Sequence, residues 1–404
     1  MSLPWAQFDD AVARLSAEQV AVRRHLHRNP EASGQEKQTT AFLAEKLRGA
    51  GLEPRLLRDG LGVTADLTLG TPPADAKYIA LRADIDALQI QDEKTVEYHS
   101  CVPGVMHACG HDAHAAVVLG AALAAAAVRQ TWSHQFGFKL RFLFQPAEED
   151  SRGSRWLIEQ GALDGVAAIL AVHMEPNFPS GHAGIRYGVL TAACDEVRIS
   201  ISGHGGHAAR PHQARDPIFA AAQLITGLYS VLPRRIDVRS PAVLTFAQIS
   251  AGRTHNAIPE RAEINGTLRT IEPEVRTTLI ERITDVCSGV ATMTGTTITP
   301  EFRHAIPGVV NDERLTAALE QASNDVLGAD HVSRIQKPSL GGEDFAFYLQ
   351  QIPGAMLRLG CTPPGSAAQY LHSPRFDIDE RCLPLGSRIL LRTAAAVAID
   401  LASG

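Results

Sequence analysis

Short apolar runs alternate with amphipathic stretches along the first part of the chain. β-rich runs at residues 78–83, 139–144 and 167–172 are separated by stretches of helical periodicity, and the most apolar of these is the Ala-rich segment from about Asp112. Strands that alternate with helices predict a sheet covered by helices on both faces. The predicted fold class is therefore α/β, with a large domain built around this central sheet.

The sequence also predicts where the first helix begins and ends. Ser16 is followed three residues later by Gln19, which is the spacing of a capping box and predicts a helix start at Ser16. The residue before a proline avoids helical backbone angles, so we expect this helix to end at Asn29-Pro30.

The pattern changes near residue 191 and changes back after Pro307. Between these points the elements follow the order β-α-β-β-α-β, which is typical of a ferredoxin-like domain. Their predicted ranges are 197–202, 216–232, 243–250, 262–270, a helix from Pro273, and 297–302. We therefore predict a large domain formed by residues 1–190 and 307–404, and an inserted α+β domain formed by residues 191–306.

The composition and net charge of the chain indicate which classes of binding partner to expect. The 404 residues are 45% hydrophobic and 20% charged, which is ordinary for a globular protein. A net charge of -6 gives no electrostatic basis for binding nucleic acid or an anionic membrane surface, so a small-molecule partner is expected.

The spacing of the cysteines and the length of the longest apolar stretch indicate the cellular location of the protein. The six cysteines are too widely separated to indicate a disulfide framework, which favours a reducing compartment. No signal peptide is visible at the N-terminus. The longest apolar stretch, Ala115 to Val128, is shorter than the roughly 20 residues of a membrane span and is expected to be a buried helix. A cytoplasmic location is expected.

Polar side chains follow the predicted strands, which is where open α/β sheets bind their ligands. These segments are Arg82–Asp86, Met106–His114, Gln145–Asp150, His173 and, late in the chain, Leu371–Pro374.

The second of these segments contains residue types that bind metal ions. Cys109-x-His111 can place a thiolate and an imidazole near one ion, and these are ligands of zinc and similar cations. A His-rich helix start taken alone is more often solvated or capping, and His173 alone is more often a hydrogen-bonded core histidine. The convergence of several such residues from separate segments favours a metal site.

Two adjacent carboxylates, Glu148 and Glu149, have two interpretations. They could form a solvated turn, or, beside a metal, one could coordinate while the other accepts a proton from water. Asp84 and Asp86 could orient a ligating histidine or merely end a strand.

Other short motifs exclude some chemistries. There is no G-x-S-x-G nucleophile elbow, and Gly341-Gly342-Glu343-Asp344 lacks the context of a dinucleotide fingerprint. In the inserted domain the glycines of Gly203–His212 do not match a phosphate loop, and a turn with incidental histidines is as acceptable as a functional segment.

The ordered motifs resemble the amidohydrolase branch of the aminoacylase and carboxypeptidase superfamily, which includes hippurate hydrolases, N-acyl-amino-acid amidohydrolases and auxin-conjugate hydrolases. The resemblance spans nearly the whole chain. It rests on His27–Glu31, Arg82–Leu88, Met106–His114, Gln145–Glu149, His173, Gly205–His212, Asn256–Pro259, Gly342–Phe345 and Leu371–Pro374.

The resemblance implies a role for individual residues. The ligands of a two-metal centre would be Cys109, His111, Glu149, His173 and His372. Glu148 would be the general base, His207 would help to polarise the scissile carbonyl, and Asn256 would contact the substrate, with Asp84 behind the ligands. Zinc is the first expectation for the two divalent ions because Cys109 is a soft ligand, with manganese, cobalt or nickel as alternatives.

The same resemblance implies the activity and the assembly. The large domain would be catalytic, and the inserted domain would mediate a homodimer or a dimer-based tetramer. The expected reaction is metal-dependent hydrolysis of N-acyl amino acids to a carboxylic acid and a free amino acid. A metallo-carboxypeptidase or dipeptidase with the same centre is one alternative, and a metal-binding dimeric protein without catalysis is another.

Overall fold

The computed structural model describes residues 5–132 and 136–403. The chain divides into two compact units. The large domain comprises Met1–Gly188, Val310–Lys337 and Asp344–Gly404, and the satellite domain comprises Val189–Val309 and Pro338–Glu343.

The described helices and strands are numbered in chain order. The helices are α1 (Trp5–Arg28), α2 (Lys37–Gly49), α3 (His111–Val128), α4 (Gly153–Glu159), α5 (Pro217–Val231), α6 (Pro273–Thr294), α7 (Glu313–Leu327), α8 (Ala346–Leu349) and α9 (Cys382–Ser403). The strands are β1 (Pro54–Leu56), β2 (Val63–Leu69), β3 (Tyr78–Asp84), β4 (Phe138–Gln145), β5 (Val166–Pro179), β6 (Ala183–Ile185), β7 (Gly188–Val189), β8 (Ala193–Ser202), β9 (Gly206–His207), β10 (Ala242–Ala251), β11 (Ala257–Ile258), β12 (Arg261–Thr270), β13 (Thr297–Ile306), β14 (Val310–Asn311), β15 (Val332–Arg334) and β16 (Gly354–Thr362).

An eight-stranded sheet forms the centre of the large domain, in the order β1-β2-β4-β3-β5-β16-β6-β15. Strand β3 is parallel to both β4 and β5, and β5 is parallel to β16. The carboxyl ends of β3, β4 and β5 therefore meet at one edge of the sheet, so the polar residues that end or follow these strands can lie close together. This mixed sheet flanked by helices confirms the predicted α/β class.

Helices α1, α3 and α9 form the most apolar part of this domain. Almost every residue of α3 is buried, and its alanines are small enough to permit close helix packing. Two helical segments are long and apolar enough to cross a membrane, His111–Val128 and Cys382–Ala402, but 89% and 67% of their residues are buried inside the protein. We therefore assign both to the core of the domain.

The predicted start of the first helix is wrong, whereas its end is correct. Helix α1 runs without interruption from Trp5 to Arg28, and the Ser16 hydroxyl donates to the Ala13 carbonyl inside the helix rather than capping it. Phe8 and Val12 are fully buried, so tertiary packing extends the helix toward the N-terminus. It ends two residues before Pro30, as expected.

The satellite domain has its own sheet and core. Its four strands are antiparallel, in the order β10-β12-β8-β13, so the first and third strands of the β-α-β-β-α-β unit, β8 and β12, are the central pair. This is the ferredoxin-like arrangement that the order of elements predicted. The apolar core of this domain includes Val197, Ile199, Leu224, Ile264 and Ile283.

The contact between α1 and α3 yields a stability prediction. The Gln19 amide crosses over Gly120 and donates to the Ser387 hydroxyl at 2.6 Å, and a Cβ at position 120 would overlap that amide. We expect Gly120→Ala to lower the free energy of unfolding by about 1–3 kcal/mol, because overpacking outweighs the better helix propensity of alanine.

Urea unfolding followed by circular dichroism measures this change. Gly49→Ala, at the end of α2, is the matched control because a Cβ there meets nothing within 4 Å. The control should be neutral or slightly stabilising. An equally stable Gly120→Ala protein would contradict the packing described.

Candidate metal centre

A left-handed turn places Cys109 and His111 at the start of α3. Gly110 lies between them with φ 88°, and a Cβ at this position would lie 3.1 Å from Met174 Cγ. The left-handed backbone angle therefore favours glycine, and the close approach of Met174 leaves little room for a Cβ. Cys109 and His111 are both buried.

The backbone and carboxylate of Asp86 fix the orientation of His111. His111 Nδ1 lies 3.0 Å from the Asp86 carbonyl oxygen and 3.1 Å from Asp86 Oδ1. A carbonyl oxygen can only accept, so Nδ1 carries a proton, and Nε2 is the nitrogen whose lone pair a metal ion would bind. His111 Nε2 is buried and has no hydrogen-bond partner among the described residues.

His173 is held in the same tautomer from another strand. It lies within β5, and its Nδ1 donates to the Met174 carbonyl oxygen at 2.8 Å. Its Nε2 therefore presents a lone pair and lies 3.8 Å from Cys109 Sγ.

The two adjacent glutamates lie on the turn after β4. Glu148 Oε1 accepts the Asp344 backbone N–H at 3.3 Å, and its Oε2 lies 3.9 Å from His111 Nε2. The Glu149 backbone N–H donates to Asp86 Oδ2 at 3.0 Å. Glu149 Oε1 lies 3.9 Å from His111 Nε2 and is buried without a hydrogen-bond partner among the described residues.

His372 reaches the same turn from the C-terminal part of the large domain. Its Nε2 lies 3.5 Å from Glu149 Oε1, and its backbone N–H donates to the Ala108 carbonyl oxygen at 2.8 Å. His372 has φ 62°, a left-handed angle that is uncommon for a residue with a Cβ. Such angles persist where surrounding contacts fix the backbone, and they are concentrated at functional sites.

These five side chains form one connected cluster that could hold metal ions. Cys109, His111 and Glu149 each place a ligand atom within 4.8 Å of the others. His173 lies next to Cys109, and His372 lies next to Glu149. The chemistry of the donor set fits a divalent cation such as zinc. The two buried atoms without partners, His111 Nε2 and Glu149 Oε1, are both ligand atoms and fit the same interpretation.

A positive charge would stabilise this cluster of buried acidic groups. Burial opposes a charged imidazole, but Asp84 and Cys109 outweigh it and hold the pKa of His111 well above its usual value. Burial, reinforced by Asp86 and opposed by His111, raises the pKa of Glu149 to about 7. Burial also raises the pKa of the Cys109 thiol far above its usual range. A bound cation would favour the thiolate and carboxylate forms and replace the proton on His111.

Asp84 supports the site in a different way from Asp86. Asp84 Oδ1 lies 2.6 Å from His114 Nδ1, while its Oδ2 accepts Arg82 Nη1 at 2.7 Å. His114 Nε2 accepts the Met174 backbone N–H at 2.8 Å, so both ring nitrogens of His114 are occupied. The sequence pattern offered both aspartates as partners of a ligating histidine, and the direct contact with His111 Nδ1 belongs to Asp86.

His207 and Asn256 lie in the satellite domain, next to each other and exposed. His207 ends β9 opposite Ala257 of β11, and the Asn256 carbonyl oxygen accepts the Ala208 N–H at 3.1 Å. His207 Nδ1 accepts the Ala209 backbone N–H at 3.0 Å, so the proton of the neutral ring is on Nε2. This leaves His207 with an exposed N–H donor.

Comparison with known proteins identifies the family. Residues 80–396 match peptidase family M20/M25/M40. N-acetyl-L-cysteine deacetylase of Bacillus subtilis is 36% identical over 387 residues, covering 95% of this chain and 89% of the relative. Thermostable carboxypeptidase 2 of Saccharolobus solfataricus is 34% identical over 375 residues, covering 91% of this chain and 92% of the relative.

A solved structure gives the same result. The YxeP protein of Bacillus subtilis, a dinuclear metal-binding peptidase from the M20 family, has a TM-score of 0.82 and 33% identity, and the match covers 96% of this chain and 99% of that one. The resemblance inferred from the sequence motifs is therefore confirmed. The chain belongs to peptidase family M20/M25/M40 and is a metal-dependent hydrolase of amide bonds.

Proposed function

We propose that the protein hydrolyses the amide bond of N-acyl amino acids, releasing a carboxylic acid and a free amino acid. The observation on which this rests is the position of Glu148. Its carboxylate is buried, is held by a backbone N–H, and lies 3.9 Å from the lone-pair nitrogen of His111 at the centre of the candidate ligands. A carboxylate so placed is suited to general base catalysis.

Two divalent ions per chain would be held by the cluster of cysteine, histidine and glutamate side chains. The ligands would be Cys109, His111, Glu149, His173 and His372. When bound, the ions supply Lewis acidity, which polarises a carbonyl and lowers the pKa of water. The buried thiol favours zinc, with manganese, cobalt or nickel as the alternatives.

Glu148 would transfer the proton in both halves of the reaction. Its carboxylate accepts a proton from the attacking water while the new C–O bond forms at the amide carbon. The protonated Glu148 then donates that proton to the amide nitrogen as the C–N bond breaks. The Asp344 N–H on Oε1 helps to fix the carboxylate, and Oε2, which lies on the side of His111, would exchange the proton.

The satellite domain would contribute to substrate binding. His207 presents Nε2–H, which can donate to the carbonyl oxygen and stabilise its developing negative charge. Asn256, adjacent to it across the β9–β11 pair, would contact the substrate. His207 could act in its own subunit or in a partner's.

A metallo-carboxypeptidase or dipeptidase with the same centre is the second candidate, because one relative bears the name thermostable carboxypeptidase. The two functions share their metal ligands and base and differ in the acyl side of the substrate. A metal-binding protein without catalysis is disfavoured by Glu148, whose position beside the candidate ligands a purely structural ion would not require.

Exchanging each adjacent glutamate for glutamine separates their roles. Glu148→Gln should lower kcat by about 10²- to 10⁴-fold and leave the metal content unchanged, because it removes only the proton acceptor. Glu149→Gln is the matched control and should lower the metal content, because it removes a ligand. Metal analysis by mass spectrometry together with steady-state kinetics measures both, and near-normal turnover in Glu148→Gln would refute its assignment.

A substrate panel tests the reaction itself. The metal-loaded protein should show higher kcat/KM for N-acetyl, N-benzoyl or indoleacetyl amino acids than for dipeptides. A preference for dipeptides would instead support the carboxypeptidase or dipeptidase function. An absence of turnover on every member of the panel would support the non-catalytic alternative.

We also propose a cytoplasmic protein that forms a homodimer or a dimer-based tetramer. All six cysteines are free thiols, which suits a reducing compartment. Strand β10 lies at the edge of the satellite sheet, and such an edge can pair with a second copy. Light scattering should give at least twice the chain mass of 43.4 kDa, and a mass of one chain would rule out the assembly.

A further inference from the structure

Glu36 is a buried acid that the proposed chemistry does not use. It precedes the first residue of α2, yet its side chain makes no capping hydrogen bond to that helix. The residue is fully buried, and its Oε1 accepts two backbone N–H groups at 2.8 Å, from Gly34 and from Ala147. The second of these connects the segment before α2 to the turn after β4.

Ala147 is the residue immediately before Glu148, and its backbone is strained. Its φ of 50° is left-handed, which is costly for a residue with a Cβ. On its carboxyl side, the Ala147 carbonyl oxygen accepts the backbone N–H groups of Arg152 and Gly153 at 3.2 and 3.0 Å. On its amino side, the described partner of its N–H is Glu36. A strained residue persists only when such contacts fix it.

The same segment holds the other side of Glu148. The Ser33 hydroxyl donates to Asp86 Oδ2 at 2.6 Å, and Asp86 Oδ2 also accepts the Glu149 N–H at 3.0 Å. The two peptide N–H groups that flank Glu148 are therefore both bound by carboxylates linked to residues 33–36. This arrangement fixes the turn independently of the side chains of Glu148 and Glu149.

We infer that Glu36 is a positioning residue whose carboxylate holds the Ala147 N–H and so fixes the turn that presents Glu148 and Glu149. The inference rests on the proposed function for the role of Glu148 as base. It concerns the geometry of the turn, and Glu36 itself touches no reacting atom.

The cost of burying Glu36 argues against a purely structural role. Its Oε2 has no hydrogen-bond partner among the described residues, and burial together with the nearby Asp86 raises its pKa to about 7. Since Glu36 does not cap α2, a smaller or neutral residue would serve the helix as well. The bonds to Gly34 and Ala147 explain why a side chain of this length with an acceptor oxygen stands at this position.

Three substitutions of Glu36 separate the effect of side-chain length from the effect of charge. Glu36→Ala removes the acceptor, Glu36→Asp keeps the charge but shortens the side chain, and Glu36→Gln keeps an acceptor oxygen at the same length. In the metal-loaded full chain we expect the alanine and aspartate variants to lower kcat by about 10- to 100-fold with little change in KM, because small displacements of a catalytic group have effects of this size. Glu36→Gln should recover most of the wild-type kcat.

Glu31→Ala is the matched control from the same segment. The Glu31 carboxylate accepts the backbone N–H groups of Gln38 and Thr39 in the first turn of α2, at 3.2 and 2.7 Å, and therefore caps this helix. This variant should increase amide hydrogen exchange in α2 and leave kcat unchanged. A loss of kcat in Glu31→Ala equal to that in Glu36→Ala would show a general loosening of the segment and would overturn the inference.

Hydrogen exchange of the turn gives a readout that does not depend on activity. The Ala147 amide should exchange at least about tenfold faster in Glu36→Ala and Glu36→Asp than in Glu36→Gln or the wild type, since it loses its acceptor. Unchanged exchange with wild-type kcat in the alanine and aspartate variants would overturn the inference. If Glu36→Ala does not fold, the aspartate and glutamine pair still decides the question.

Failure of this inference is distinguishable from failure of the proposed function. Normal turnover in Glu148→Gln would remove the base while leaving the exchange result for Ala147 intact. Conversely, Glu148→Gln could abolish turnover while the Glu36 variants leave the exchange rate of the Ala147 amide unchanged. That result would support the hydrolase function and reject the positioning role of Glu36.

Discussion

The convergence of acidic groups on His111 Nε2 is the interaction on which the site depends. Carboxylate oxygens of Asp84, Glu148 and Glu149 lie 3.8 to 3.9 Å from this one nitrogen, in a buried region where repulsion between like charges is weakly screened. Burial raises the pKa values of Glu149 and of the Cys109 thiol, which favours their neutral forms when no cation is bound. A divalent cation would offset the repulsion between these carboxylates, and the fold holds the ligand atoms in fixed positions around it.

The parallel strands explain why residues so distant in sequence meet here. Strands β3 and β4 end at the same edge of the sheet, and β5 brings His173 to that edge. Hydrogen bonds that Nδ1 of His111 and of His173 donates to backbone carbonyl oxygens then fix both rings with Nε2 toward the cluster. The sheet provides proximity, whereas these bonds provide the tautomer that a metal ligand needs.

Sequence patterns predicted the fold class and the separate polar segments because these depend on local periodicity and on residue types at strand ends. They did not predict the N-terminal start of α1, because burial of Phe8 and Val12 overrides the local capping signal of Ser16. They also missed Glu36 and Ser33, whose partners Ala147 and Asp86 are distant in sequence. No periodicity encodes a hydrogen bond between one side chain and the backbone of a distant turn.

The uneven exposure of the cluster has a functional consequence. Cys109, His111 and His173 are buried by the strands and α3, whereas the His372 side chain is 53% exposed. Its backbone is left-handed and bonded to Ala108, so the ring is placed by the main chain rather than by packing. An open side is what a small amide substrate requires to reach Glu148, while the buried side keeps the ligand nitrogens fixed. The buried side of the cluster therefore holds its ligands rigidly, and the exposed side at His372 admits the substrate.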